Sequence, residues 1–392
     1  MKVCPFAGAG MILWMNWHRL FFWSLLGLVA TILLLVSTSC SNQYNPQDIL
    51  YLGWDNSERI QLFRHNLSGD GTMPTQLTGL GEGSRSGDVT TFNPSPDGTR
   101  IAYSMDLDSG SSEIRLLTIS SGTDELLVAC DSAECSEITW SPDNRRLVYE
   151  RRELDDETAK EPHLWWLNAN TAETVPLIEE SENGAYGASF SPDGQMLAYV
   201  SPKDYGVVVV NLLTGDQQRL SSDTGMPPIW SPDSQSIIYS IRELLVFHEE
   251  DGSDHTTHAH EYISVIKLYR QEVFQSSPPV QLSPDSTIDD SSPSWSPDGE
   301  WITLGRRPAD TAGARQLWLM QPDGSNARTL TSDTDIHYGP TWWSSDGRYL
   351  VYQRYPSLEP GATSSIWVMD METGEQRQIA EMGFLPRWLP EF

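Results

Sequence analysis

The chain has 392 residues, 39% of them hydrophobic, enough for two average domains or one large all-β domain and too many for a disulfide-stapled miniprotein. Against 25 Lys and Arg stand 54 Asp and Glu, a formal net charge of −29, and a surface of that sign repels phosphate, so no nucleic-acid partner is expected. The 15 Trp, 29 Gly and 25 Pro recur along the whole length, which argues against a helical bundle and points to an all-β chain.

The first forty residues read as an address. From Leu20 to Val36 no residue is charged, and Lys2, His18 and Arg19 precede this run. A cationic flank before an apolar stretch is what the export machinery reads, with the positive end kept in the cytoplasm. The following Ser37-Thr38-Ser39-Cys40 resembles the lipobox of bacterial lipoproteins, although Ser37 stands where an aliphatic residue is usual; the resemblance implies lipidation at Cys40. The alternative is an uncleaved anchor helix, since about 17 apolar residues is the short end of what spans a bilayer. Met11 or Met15 are alternative starts. Residues 1–40 are thus expected to be a signal peptide or membrane anchor, 41–48 a polar linker, and 49–392 a body outside the cytoplasmic membrane. In that compartment Cys130 and Cys135 are expected to form a local disulfide. The alternative is two unrelated thiols, and C-x4-C without further cysteines is no zinc site.

A repeat then runs through the body. TFNPSPDGTRIAYS, ITWSPDNRRLVYE, ASFSPDGQMLAYV, PIWSPDSQSIIYS, PSWSPDGEWITLG and TWWSSDGRYLVYQ align on Pro96, Pro142, Pro192, Pro232, Pro297 and Ser345, with steps of 40 to 65 residues. Each copy reads as a hairpin: an aromatic ends one strand, Ser-Pro-Asp-Gly turns, and an apolar triplet begins the next. A second strand pair follows, as in Ile366–Asp370, the turn Glu372-Thr373-Gly374-Glu375, and Arg377–Ile379. Four short strands with apolar residues on both faces must stack against copies of themselves. Radial stacking of about 45-residue units predicts a β-propeller. The W-S-P-D-G-x-x-I-A-Y unit, with I-W-V-M-D after it, resembles the PD40 repeat of TolB-like propellers. That family's propellers also precede serine-peptidase domains and form metal-dependent pectic-oligomer lyases.

The ends set the blade count. Ile49–Tyr51, Ile60–Phe63 and Thr75–Thr78 match the second, third and fourth strands of a blade, and Pro386-Arg387-Trp388-Leu389-Pro390-Glu391 matches a first strand. The C-terminal strand is therefore expected to complete the first blade and close a ring of seven four-stranded antiparallel blades, with six or eight as alternatives.

The Ser-Pro-Asp-Gly turns are expected to be scaffold on one face. The long step from Pro232 to Pro297 predicts a hairpin insertion at about 241–263 overhanging the opposite face. Its tip holds four of the eight His; His255, His258 and His260 in H-x2-H-x-H spacing are candidate ligands for a divalent metal. The competing expectation is a solvated polar loop that keeps the strand tip from aggregating. The acidic links Glu179-Glu180-Ser181-Glu182, Asp285 with Asp289-Asp290, and Asp333-Thr334-Asp335 read as solvated surface. No G-x-S-x-G elbow occurs, so a peptidase is not expected. The functional expectation is a membrane-tethered, monomeric module without catalysis of its own or an obligatory cofactor, binding an envelope protein or peptide; the alternative is a metal-dependent polysaccharide lyase on the loop face.

Overall fold

The structure, a computed structural model, describes residues 48–67, 73–80, 86–154, 160–178, 184–247, 261–309, 313–356 and 363–390. Every regular element among them is a strand. The chain opens with β1 (Asp48–Trp54), β2 (Ile60–Asn66) and β3 (Thr75–Gln76). The second blade is β4 (Gly87–Pro94), β5 (Arg100–Leu107), β6 (Ser112–Thr118) and β7 (Thr123–Cys130); the third is β8 (Ala133–Trp140), β9 (Arg146–Glu153), β10 (His163–Asn168) and β11 (Thr174–Pro176). The fourth is β12 (Tyr186–Phe190), β13 (Met196–Ser201), β14 (Gly206–Asn211) and β15 (Gln217–Ser221); the fifth is β16 (Ile229–Trp230), β17 (Ser236–Phe247), β18 (Glu261–Glu272) and β19 (Val280–Gln281). The sixth is β20 (Ile288–Trp295), β21 (Ile302–Pro308), β22 (Gln316–Met320) and β23 (Arg328–Thr329); the seventh is β24 (Ile336–Trp343), β25 (Tyr349–Pro356), β26 (Ser365–Asp370) and β27 (Gln376–Ala380). The last strand, β28 (Phe384–Trp388), pairs antiparallel with β1, matching Ile49 to Trp388 and Leu50 to Arg387. The first blade therefore has the order β28-β1-β2-β3, and the protein is a closed seven-bladed propeller.

Alternation of side chains along each strand builds the core. Val207 and Val209 of β14 pack with Trp230, Ile237 and Tyr239 of the fifth blade, whereas Val208 between them packs with Val148 and Leu164 of the third. Seven buried apolar clusters result, one at each seam between neighbouring blades. Full burial of one such aliphatic side chain stabilises by about 1.5–3 kcal/mol, so no blade is stable without both neighbours.

The recurrent turn has a side-chain lock. Ser191 Oγ donates to Asp193 Oδ1 at 2.6 Å and accepts the Met196 N–H at 2.9 Å, and Asp193 Oδ1 accepts the Gln195 N–H at 3.0 Å. The same serine–aspartate lock recurs at Ser95, Ser141, Ser231, Ser296 and Ser344. These hydrogen bonds hold Asp97, Asp143 and Asp233 below the usual carboxylate range; burial alone would raise each. Gly98, at φ +66, sits so close to the chain end that a Cβ would lie 2.1 Å from the Pro390 carbonyl oxygen.

Two further devices join the blades. An indole N–H reaches back to the innermost strand of the preceding blade: Trp140 to Asn93 O at 3.0 Å, Trp230 to Ser189 O at 3.1 Å, Trp343 to Ser294 O at 3.4 Å and Trp388 to Trp342 O at 2.8 Å. Trp295 Nε1, at the same repeat position, is buried and has no acceptor among the described residues. A disulfide joins Cys130 at the end of β7 to Cys135 in β8, across the seam between the second and third blades.

Candidate functional site on the hairpin face

In a propeller the turns between first and second strands emerge on one face, and the connections between second and third strands emerge on the other. The fifth blade departs from its neighbours on that second face. β17 and β18 run 12 residues each and remain paired from Ser236–Glu272 to Phe247–Glu261. The corresponding strands of the fourth blade have 6 residues, so the hairpin rises roughly 20 Å further at 3.3 Å per residue. Leu244 on it is 66% exposed. The tip carrying His255, His258 and His260 lies outside the described residues, as does Cys40. The described histidines, His65, His163 and His337, stand in the first, third and seventh blades.

At the foot of this hairpin is a buried ionic cluster that the sequence reading placed in solvent. Asp289 and Asp290 are not link residues; they belong to β20 and are 3% and 0% exposed. Arg306 holds Asp290 in two bonds, Nε to Oδ1 at 2.7 Å and Nη2 to Oδ2 at 2.8 Å, and Ser283 Oγ donates to the same carboxylate. Asp289 Oδ2 accepts from Arg307 Nε at 2.9 Å and Arg315 Nη2 at 2.6 Å, while its Oδ1 accepts the Ile266 N–H at 3.0 Å. Lys267, fully buried, donates to the carbonyls of Asp285 and Ile288. Burial lowers the Lys267 pKa, against the pull of Asp290 and its acidic neighbours. The arginines and aspartates are paired with one another and the lysine is held by carbonyls, and removing one partner of such a set costs about 3–5 kcal/mol. Asp285 and the Asp333–Asp335 segment do lie in solvent, as the sequence indicates.

A local geometric step creates this pairing. Counting back from the turn, Trp295 faces Ile302 and Ser294 faces Thr303, which would put Asp290 opposite Arg307. A bulge at Ser292, with φ 51, shifts the register by one, so Asp290 faces Arg306 and Asp289 faces Arg307. The doublets Asp289-Asp290 and Arg306-Arg307, equally spaced about one turn, were the available signal.

Isolated charges are buried elsewhere in the ring. Glu150, 8% exposed, accepts the Gly187 N–H at 2.7 Å; burial raises its pKa to about 7, and Glu137 and Glu134 add to the effect. Arg387 on β28 lies over the Trp342 ring, 4.5 Å from its centroid, and burial lowers its pKa to about 10 while Glu137 opposes that shift.

Fold and face together define a closed seven-bladed propeller with one raised hairpin. Residues 173–386, more than half of the chain, match the PD40 family, described as the TolB beta propeller domain, and the chain belongs to that family. A relative, the uncharacterized peptidase YuxL of Bacillus subtilis (strain 168), is 22% identical over 292 residues, which cover 66% of this chain and 43% of the relative. The chain thus aligns with less than half of that relative's length. Among solved structures, a puromycin-hydrolyzing peptidase from Mycobacterium tuberculosis superposes with a TM-score of 0.60 at 14% identity, covering 86% of this chain and 52% of that one. TolB from Acinetobacter baumannii superposes with a TM-score of 0.51 at 15% identity, covering 88% and 67%. At these identities the solved structures establish a shared propeller fold.

Proposed function

We propose that this protein is an extracytoplasmic binding module, held at the membrane through its N-terminal segment, that engages a protein or peptide of the cell envelope with its hairpin face and performs no catalysis of its own. The observation that carries this reading is the fifth-blade hairpin, standing above a ring whose seven seams are packed and whose last strand closes it. A rigid ring presenting one long projecting element suits recognition, because little conformational freedom is lost on binding. The ionic groups at the hairpin's foot are engaged with one another, and this favours a positioning role for them over proton transfer. Membership of the TolB propeller family adds support for an envelope location and a protein partner. Acylation of Cys40 is the form of tether we favour.

Affinity purification from detergent-solubilised membranes tests the reading, comparing the intact protein with a variant lacking residues 247–262. We expect a partner recovered with the intact chain to be lost from the variant while both proteins unfold at the same temperature. Identical partner lists remove the hairpin from the function.

A further inference from the structure

Grooves open to solvent lie along several seams of the ring. Between the fifth and sixth blades runs a groove of about 510 Å3, about twice the volume of the grooves between the seventh and first blades (about 260 Å3) and between the second and third (about 210 Å3). Leu282 and Pro284, which follow the last strand of the fifth blade, line it together with Ile288, Pro308 and Trp318 of the sixth. The blades touch at one end, where a Cβ on Gly324 would lie 2.9 Å from the Leu282 carbonyl oxygen. Beyond that point the small Ala327 and Thr329 line the sixth-blade wall and leave space. Trp295, the indole without an acceptor, packs into this same seam.

Charge selects what the groove can hold. Arg306 is committed to Asp290 through two nitrogens and lies 4.9 Å over the Trp318 ring, making a flat, partly cationic floor. Arg307 gives only its Nε to Asp289; Nη1 and Nη2 make no hydrogen bond among the described residues, and the side chain is 32% exposed at the groove. Asp285, the acidic lining residue, has one carboxylate oxygen turned back onto the N–H and hydroxyl of Thr287. An apolar slot ending at a guanidinium that keeps two nitrogens unpaired among the described residues fits a carboxylate next to a large apolar side chain. The net charge of −29 does not forbid this, because exposed charges beyond about 8 Å are screened at physiological ionic strength.

We propose that this groove binds an extended peptide segment of a partner protein, seating a carboxylate on Arg307 and an adjacent aromatic or aliphatic side chain against Trp318. The inference rests on the binding-module reading and names a docking site for it. The groove adjoins the foot of the hairpin through Lys267, Ile288 and Asp289, so one partner can contact both.

Selection of a random heptapeptide phage library on the intact protein tests it. The selected peptides should pair Asp or Glu with Leu, Ile, Phe or Trp, and their synthetic copies should bind at least about tenfold more weakly to Arg307→Gln, the loss of one charge-assisted contact. Ala327→Trp, which fills the groove from an exposed position, should abolish binding with thermal unfolding unchanged. Peptides without acidic residues, peptides bound equally by both variants, or a library that yields no binder would overturn the groove assignment. Peptides insensitive to both variants but lost on deleting residues 247–262 would overturn it while leaving the binding-module reading intact. An empty library together with an empty membrane purification would remove both.

Discussion

Glu150 shows how one buried carboxyl links the fold to pH. Its ordinary value is 4.5, and burial in the third blade raises it to about 7. Between those values the folded protein holds a proton that the unfolded chain has released, so stability falls as pH rises through this window and stays low above it. A shift of this size corresponds to about 3 kcal/mol. Glu150→Gln preserves an acceptor for the Gly187 N–H and cannot ionise. Urea unfolding should therefore find the variant more stable than the parent by about 3 kcal/mol near pH 8 and nearly equal to it near pH 4. A parent protein with no loss of stability across that window, beyond what the variant shows, would contradict the buried carboxyl.

The strand hairpins repeat, yet their ties to neighbours are unequal. Trp388 donates to the seventh blade, whereas Trp295 has no acceptor on the fifth, whose innermost strand β16 is only two residues long. A net intramolecular hydrogen bond contributes about 1 kcal/mol. Replacing each indole by phenyl should therefore separate the two positions: Trp388→Phe should cost about 1 kcal/mol more than Trp295→Phe, measured from denaturant midpoints of the two variants. Equal losses would mean that the indole nitrogens contribute nothing to seam strength. The same comparison bears on the groove, because Trp295 packs into the seam that holds it.

Closure of the ring joins residues more than 330 positions apart, Ile49 with Trp388, through the pairing of β28 with β1. Without β28 the buried face of β1 would meet solvent, and the seventh-to-first seam, which holds Ile49, Tyr51, Val351, Ile366 and Trp388, would lose a wall. Removing everything after Gly383 should lower the melting temperature and broaden the transition, because stability then propagates blade by block from an open end. A truncated chain that melts as sharply and as hot as the full-length protein would show that the ring does not depend on its last strand.

Local chemistry settled the repeat, the blade count and the closing strand. Pro, Asp and Gly encode a turn within four residues, and an unbroken apolar run such as Leu197-Ala198-Tyr199 encodes a strand buried on both faces. The insertion was legible for the same reason, as excess length between two turns. The ionic cluster and the groove were not. Asp289 and Asp290 look like a solvated link until the Ser292 bulge moves them opposite Arg307 and Arg306, and Arg315, just before β22, and Lys267, on β18, approach them from elsewhere in the chain. Whether a charge is buried depends on what stands across a seam, and the grooves depend on how far two non-adjacent strands approach. Spacing along the chain carries neither distance, so those features exist only once the blades are packed.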